Sequence, residues 1–429
     1  MRRYPPGFLT LSASVACERF SFFLLLSLLL LYLNERLGFT TASATDILGC
    51  FIAATYVSPL LGGIVSDGRF GVVRVASLGY LVAAVGYAFL MMERVPALYA
   101  GLALVALGSG AAKSAPQALA TRLYADIPEH RDHGLTLIYL LANASAIVSP
   151  VVGETARSWL GWPAAFAVAS LGLVAAWAIL RSHSSLLRAA EQREPAAAKT
   201  DCDTPRGSLL LLLCLCLISM LFTVAHMQAS TTLLLWARDH TNRRFLTWEL
   251  PVPYIASLHS GLVIAVSPLL SRLLLRLRTA PGLGSISIKI AGGMAVTSLA
   301  YAPMIIAAQI SGGLALVSIG WLLGCLLMLS VAELLVGALG PSFVLRLAPT
   351  QSGGRWIGAW YAATAVGFWV AGRIGGLWDR VPHSAFFLGL AVIPLRESRR
   401  SVVDRKPTWS DRNSFPQGAF WMTSSDSAR

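Results

Sequence analysis

Charge is scarce in this chain. Only 13% of its 429 residues are Asp, Glu, Lys or Arg, against roughly 25% in soluble domains. That leaves too little polar surface to coat a water-exposed globule, and a soluble chain of this length would divide into two or three domains, each needing such a coat. Lysine is rarer still, with four residues (Lys113, Lys199, Lys289 and Lys406) among 34 cations. The six cysteines (Cys17, Cys50, Cys202, Cys214, Cys216 and Cys325) show no CxxC spacing and lie mostly in apolar runs. They read as small packing residues rather than a redox framework. Walker A, HExxH and GxSxG patterns are missing, so nothing points to an ATPase or a hydrolase. No catalytic residue, metal ligand or cofactor is expected. The net charge of +13 could suit nucleic acid, but the cations sit in short clusters between apolar blocks, as in cytoplasmic loops of membrane proteins. No nucleic-acid partner is expected.

What the chain has is hydropathy. Apolar residues make up 55% of it and the mean hydropathy is +0.65. They are gathered into blocks of about 20, the length that spans a ~30 Å hydrocarbon core as a helix. This predicts an all-α membrane protein embedded in a lipid bilayer. The blocks fall at 7–34, 44–66, 72–92, 97–121, 135–156, 163–181, 208–236, 254–276, 287–309, 313–340, 355–377 and 384–395, twelve in all. The first follows Arg2 and Arg3 like a signal peptide, but it is too long for a cleaved apolar region and holds Glu18 and Arg19, so it is read as a retained helix.

Residues 182–207 form a polar linker between a bundle at 1–181 and another at 208–395, and 396–429 is a polar tail expected to be disordered. The last block is short, about 18 Å of helix at 12 residues, which predicts a short or distorted twelfth helix. Arginines in the loops of one side or at the block ends beside them (Arg69, Arg74, Arg122, Arg131, Arg272, Arg276, Arg278, Arg346) favour both termini on the cytoplasmic side. Ser58-Pro-Leu-Leu61 and Ser267-Pro-Leu-Leu270 recur at equivalent places in the two halves, in keeping with six plus six helices of a duplicated, major-facilitator architecture.

Ionisable groups in a span cost several kcal/mol, or ~2.5–3.5 kcal/mol on insertion scales, and so mark function by default. Glu18 and Arg19 lie midway along the first span, Lys113 in the small-residue stretch 108–116 of the fourth, and Glu333 in the tenth. Lys113 sits where helices are expected to pack closely. The lesser alternative is a lysine that snorkels or pairs with Glu18 to hold helices together. Arg19, Phe22 and Phe23 share a helix face. Tyr32, Tyr56, Tyr139, Asn143, His226, Gln228, His259 and Trp360 also fall within spans.

Taken in order, these motifs resemble the proton-coupled oligopeptide transporter family of the major facilitator superfamily. Glu18-Arg19-Phe20-Ser-Phe22-Phe23 is similar to the second part of its E-x-x-E-R-F-x-Y-Y. Tyr56-Val-Ser-Pro59 through Asp67, Arg69 and Gly71 resembles the end of its second helix. Gly108-Ser-Gly110 with Lys113 resembles G-x-G-x-x-K, and Tyr139-Leu-Leu-Ala-Asn143 resembles F-Y-x-x-I-N. Gly161-Trp162 with Phe166, Gln228-Ala-Ser230, Glu333-Leu-Leu335 and Gly358-Ala-Trp360 are similar to its later motifs.

The resemblance implies import of di- and tripeptides with protons by alternating access in an inner or plasma membrane, by a monomer that draws on the proton gradient. Arg19 and Lys113 would take the peptide carboxylate and Glu333 the amino group. Tyr56, Asn143, Phe22, Phe23, His259 and Trp360 would complete the substrate site. Glu18, Arg19 and Lys113 would couple to protons, and Asp67 and Arg69 would serve gating. The chain departs from the family at several positions. Val15 stands for the first Glu, Phe22 and Phe23 for two tyrosines, Met227 for a position often acidic, and His259 for an Asn. Ser114 replaces a Pro after the lysine and Gly337-Ala338 a Ser-Pro. The cluster of Glu18, Arg19 and Lys113 is nominally +1, where the family's is near neutral. A drug or metabolite exporter of the same fold and a degenerate, non-transporting relative remain the alternatives.

Overall fold

The computed structural model describes residues 4–65, 71–113, 119–120, 122–125, 127, 130–192, 208–276, 283–313, 315–337, 339–347 and 353–403. The first half comprises α1 (Phe8–Leu31, extended by a π turn at Tyr32–Arg36), α2 (Thr41–Val65), α3 (Val72–Leu90), α4 (Val95–Lys113), α5 (Arg131–Leu160) and α6 (Trp162–Ser182). A short α7 (Ser184–Glu191) follows. The second half holds α8 (Ser208–His226), a 3₁₀ turn at Met227–Ser230, α9 (Thr232–Asp239), α10 (Tyr254–Arg276), α11 (Leu283–Ala300) and α12 (Ala302–Ser311). It ends with α13 (Ile319–Ala332), a π turn at Glu333–Gly337, α14 (Leu339–Leu347), α15 (Gly353–Gly375) and α16 (His383–Val403). Two-residue strands β1 (Thr241–Asn242) and β4 (Val317–Ser318) pair in parallel, and β2 (Arg244–Phe245) and β3 (Trp248–Glu249) antiparallel. A helix lies on each of the twelve expected segments. Among the described residues, nine spans are long and apolar enough to cross a membrane. The fold is all-α because a bilayer core offers backbone groups no partner but their own helix.

Small residues set how closely these helices approach. A Cβ added to Gly79 would lie 2.5 Å from the Gly108 carbonyl oxygen, and one on Gly108 would lie 2.4 Å from that of Gly79. Gly86 and Gly101 repeat the contact, each 2.7 Å from the other's oxygen. α3 and α4 therefore meet backbone to backbone, the geometry that glycine permits in membrane helices. Ser58 Oγ, two residues beyond Tyr56, donates to Ala106 O at 2.7 Å and fixes α2 on α4. Because this seam carries Lys113, Gly108→Leu is expected to abolish folded protein, read as loss of the monodisperse peak in size-exclusion chromatography. Leu107→Ala, at a half-exposed position of the same helix, should leave that peak intact.

Several boundaries differ from the sequence reading. The crossing expected at 208–236 breaks at Met227–Ser230. Gln228 holds the break: it is fully buried, its amide donates to Val224 O and Ala371 O, and its oxygen accepts from the hydroxyls of Thr231 and Thr232. The crossing at 287–309 breaks at Tyr301, where Pro303 begins a new helix. The tenth starts only at Ile319, capped by Ser318, whose side chain accepts from the Gly320 N–H. The twelfth helix, expected to end near Leu395, continues to Val403. A helix satisfies its own backbone, so it outlasts the apolar stretch that ends near Pro394. The expected tail from residue 404 onward lies outside the described residues. Of the linker, α7 packs Leu187 and Ala190 inward, its Glu191 accepts from the Val72 N–H, and residues 193–207 lie outside the description.

Candidate functional site

One cavity of about 480 Å³ opens between the halves, within the roughly 300–1,000 Å³ of small-ligand sites. Arg19, Phe22, Phe23, Tyr56, Lys113, Asn143, His259, Glu333 and Trp360 all line it. The nine residues picked from the sequence as a substrate site are thus brought together from α1, α2, α4, α5, α10, α15 and the π turn. Asp67 and Arg69 lie outside the described residues.

The two cations sit on the first half. Glu18 is buried, 3% exposed, and its carboxylate meets its neighbour Arg19 Nε at 3.0 Å. Its other oxygen has no hydrogen-bond partner among the described residues. Arg19 reaches the cavity while Glu18 stays behind it. Lys113 does not pair with Glu18. Its ammonium donates to Thr55 O at 3.3 Å and rests over the rings of Phe22, 4.5 Å away, and Tyr56, 5.2 Å away. Such ring contacts are worth about 0.5–2 kcal/mol, and they orient the ammonium without neutralising it. Phe22, which lacks a hydroxyl for a ligand, thus supports the lysine through its face.

The anion sits on the second half. Glu333 opens a π turn, a helix irregularity found frequently at functional sites. Its Oε2 lies 3.2 Å from His226 Nε2 and 3.8 Å from His259 Nε2. His226 ends α8 just before the 3₁₀ break and stacks on Phe222 at 5.2 Å. The sequence reading placed His226 in a span but gave it no role; an intramembrane histidine is the signal that could have found it. Tyr139, Tyr361 and Phe368 also line the cavity, with Phe368 4.8 Å from the Tyr56 ring. Trp360 is mainly core: it is 4% exposed and packs on Gly340, where a Cβ would lie 2.3 Å from its ring. Asn143 donates to Tyr139 O at 2.9 Å and lines the cavity from α5.

At the end of the molecule bearing Asp46, the halves close. A Cβ on Gly49 would lie 2.8 Å from Gly372 Cα and from Phe368 O, and one on Gly372 would lie 2.6 Å from Thr45 O. Arg373 and Asp46 bridge the seam at 3.1 Å. The site is therefore a largely apolar cavity under a backbone-to-backbone seal, with cations on one bundle and a carboxylate on the other.

That architecture is a membrane transporter's. The Major Facilitator Superfamily model matches residues 11–372, and the chain belongs to that superfamily. It is similar to dipeptide and tripeptide permease A of Erwinia pyrifoliae, 24% identical with 87% of this chain and 86% of the relative covered. It is also similar to the peptide transporter YePEPT of Yersinia enterocolitica, 24% identical over 84% and 85%. Among solved structures it resembles the peptide transporter POT in complex with sulfate, with a TM-score of 0.85 and 20% identity, covering 92% of this chain and 94% of that one. A POT family transporter in complex with 5-aminolevulinic acid gives a TM-score of 0.81 at 17% identity, covering 92% and 95%.

Proposed function

We propose that this chain imports di- and tripeptides across the inner membrane by proton symport, with both termini cytoplasmic and two six-helix bundles (1–181 and 208–395) rocking about the cavity as a monomer. The observation that carries the reading is charge placement: Arg19 and Lys113 face one side of the cavity and Glu333 the other. A peptide is a zwitterion with charged ends of opposite sign, so it can engage both bundles at once, and closing a low-dielectric cavity around those pairs strengthens them. The names of the similar proteins support the substrate class. The sealed end would be the outer one, which makes this an inward-facing state. Dipeptide uptake into proteoliposomes with and without an imposed pH gradient tests it. Uptake of a labelled dipeptide, competed by other dipeptides, is expected; none in either condition would favour an exporter or a non-transporting relative.

Coupling is expected to be shallow. Val15 is buried on α1, one turn before Glu18 and Arg19, where a carboxylate would face them. Without it the proton-responsive cluster has a single carboxyl against two cations. Val15→Glu should steepen the dependence of uptake on pH severalfold, measured as the ratio of initial rates at pH 6 and pH 8 (about a hundredfold change in proton activity). A wild-type ratio already as steep as the variant's would remove this assignment.

A further inference from the structure

His226, His259 and Glu333 come from three separate elements, and one donor atom from each lies within 4.8 Å of the others. The shortest pairs are His226 Nε2 to Glu333 Oε2 at 3.2 Å and His259 Nε2 to Glu333 Oε2 at 3.8 Å. A tetrahedral zinc ion with bonds of about 2.0–2.2 Å holds its donors about 3.3–3.5 Å apart. The three donors are therefore close to that spacing already, and small side-chain rotations close the rest. His259 Nε2 is buried with no hydrogen-bond partner, so an imidazole nitrogen points at this carboxylate with its own bonding unmet. The two rings stand 5.4 Å apart, centre to centre, and no hydrogen bond to the other ring satisfies His259 Nε2, so the pair is placed to flank an ion.

We propose that His226, His259 and Glu333 bind a zinc-class divalent cation, with the fourth coordination position open to the cavity. Two imidazoles and one carboxylate suit Zn²⁺ and its late first-row neighbours, whereas Mg²⁺ and Ca²⁺ prefer all-oxygen sets. Three protein ligands with one open position is the arrangement of sites that exchange their fourth ligand. All three residues line the cavity, so that position faces whatever the cavity holds. The sequence reading expected no metal, because these ligands stand 33 and 74 residues apart along the chain (226 to 259 to 333) and form no short motif. Zinc at this place takes the Glu333 oxygen that would receive a peptide ammonium group and adds positive charge beside it. Zinc and the free amino end of a peptide therefore exclude each other, a consequence that rests on the peptide reading; the metal binding itself does not.

The test uses the purified full-length protein in detergent, freed of any histidine tag, titrated with Zn²⁺ against a chromogenic chelator. One zinc per chain is expected, with affinity at least tenfold weaker in each of His226→Ala, His259→Ala and Glu333→Gln, and unchanged in His130→Ala. Zn²⁺ but not Mg²⁺ should raise the Tm of the wild type, a readout that stands even where an alanine variant folds poorly. His226→Gln and His259→Asn serve as milder versions. Dipeptide binding should weaken at least tenfold in saturating Zn²⁺, while an N-acetylated dipeptide should not. No zinc binding by monodisperse protein, or binding undiminished in the variants, overturns the site, and zinc binding without competition overturns the exclusion. The zinc titration contains no peptide, so a chain that binds zinc but no peptide would overturn the transport reading alone.

Discussion

Lys113→Ala is expected to weaken binding of an ordinary dipeptide more than tenfold and to weaken its amide-capped form far less. Glu333→Gln should show the converse, costing a free amino end more than tenfold and sparing an N-acetylated peptide. The reason is that each charge is available. Lys113 spends its ammonium on a carbonyl and two ring faces, with no carboxylate in ion-pair range among the described residues. Glu333 faces two imidazoles, which take no full charge from it when neutral. Truncating one partner of a buried charge pair costs roughly 2–5 kcal/mol, and about 1.4 kcal/mol is a factor of ten. Uniform loss of contact area would instead scale with the alanine truncation and ignore the caps. The measurement is a double cycle of residue against ligand end in a binding assay. Equal weakening of capped and uncapped peptides by each variant would show that both residues act through structure.

Much of this arrangement was legible in the chain because a membrane makes charge expensive. Of four ionisable groups singled out in spans, Arg19, Lys113 and Glu333 line the cavity and Glu18 lies behind it, and the glycines around Lys113 marked the seam that carries it. What could not be read was anything set by partners distant in sequence. Lys113 turned out to rest on Phe22 and Tyr56 rather than on Glu18, a choice made by the approach of α2 to α4. His226 acquires its place from Glu333, 107 residues on. The break after His226 depends on a buried Gln228 whose bonds reach Ala371 O, 143 residues away. Hydropathy also misjudged ends: it stopped the twelfth helix where apolar residues stop, although backbone bonds carry it to Val403.

Gly372→Val is expected to reduce transport at least tenfold while leaving the protein folded, because it blocks closure of one end of the cavity. Two devices hold that end shut, and their magnitudes differ. The Asp46–Arg373 bridge is exposed, with 62% of the arginine side chain in contact with solvent, and such pairs contribute about 0–1 kcal/mol. Asp46→Asn should therefore change transport by no more than about fivefold. The glycine contact is steric and meets main chain rather than a side chain: a Cβ on Gly372 lies 2.6 Å from Thr45 O and 3.1 Å from Gly49 Cα. Overpacking costs about 1–3 kcal/mol where side chains can move aside; here the neighbouring atoms are backbone and only separation of α2 from α15 relieves them. The variant should favour the state open at this end. A Ser230→Cys label site in the cavity then gains reactivity toward a membrane-impermeant maleimide added from the Asp46 side, whereas the same site with glycine at 372 stays protected. Wild-type transport in Gly372→Val, or labelling that does not change, would show that the seam is not the gate and that access alternates elsewhere in the bundle.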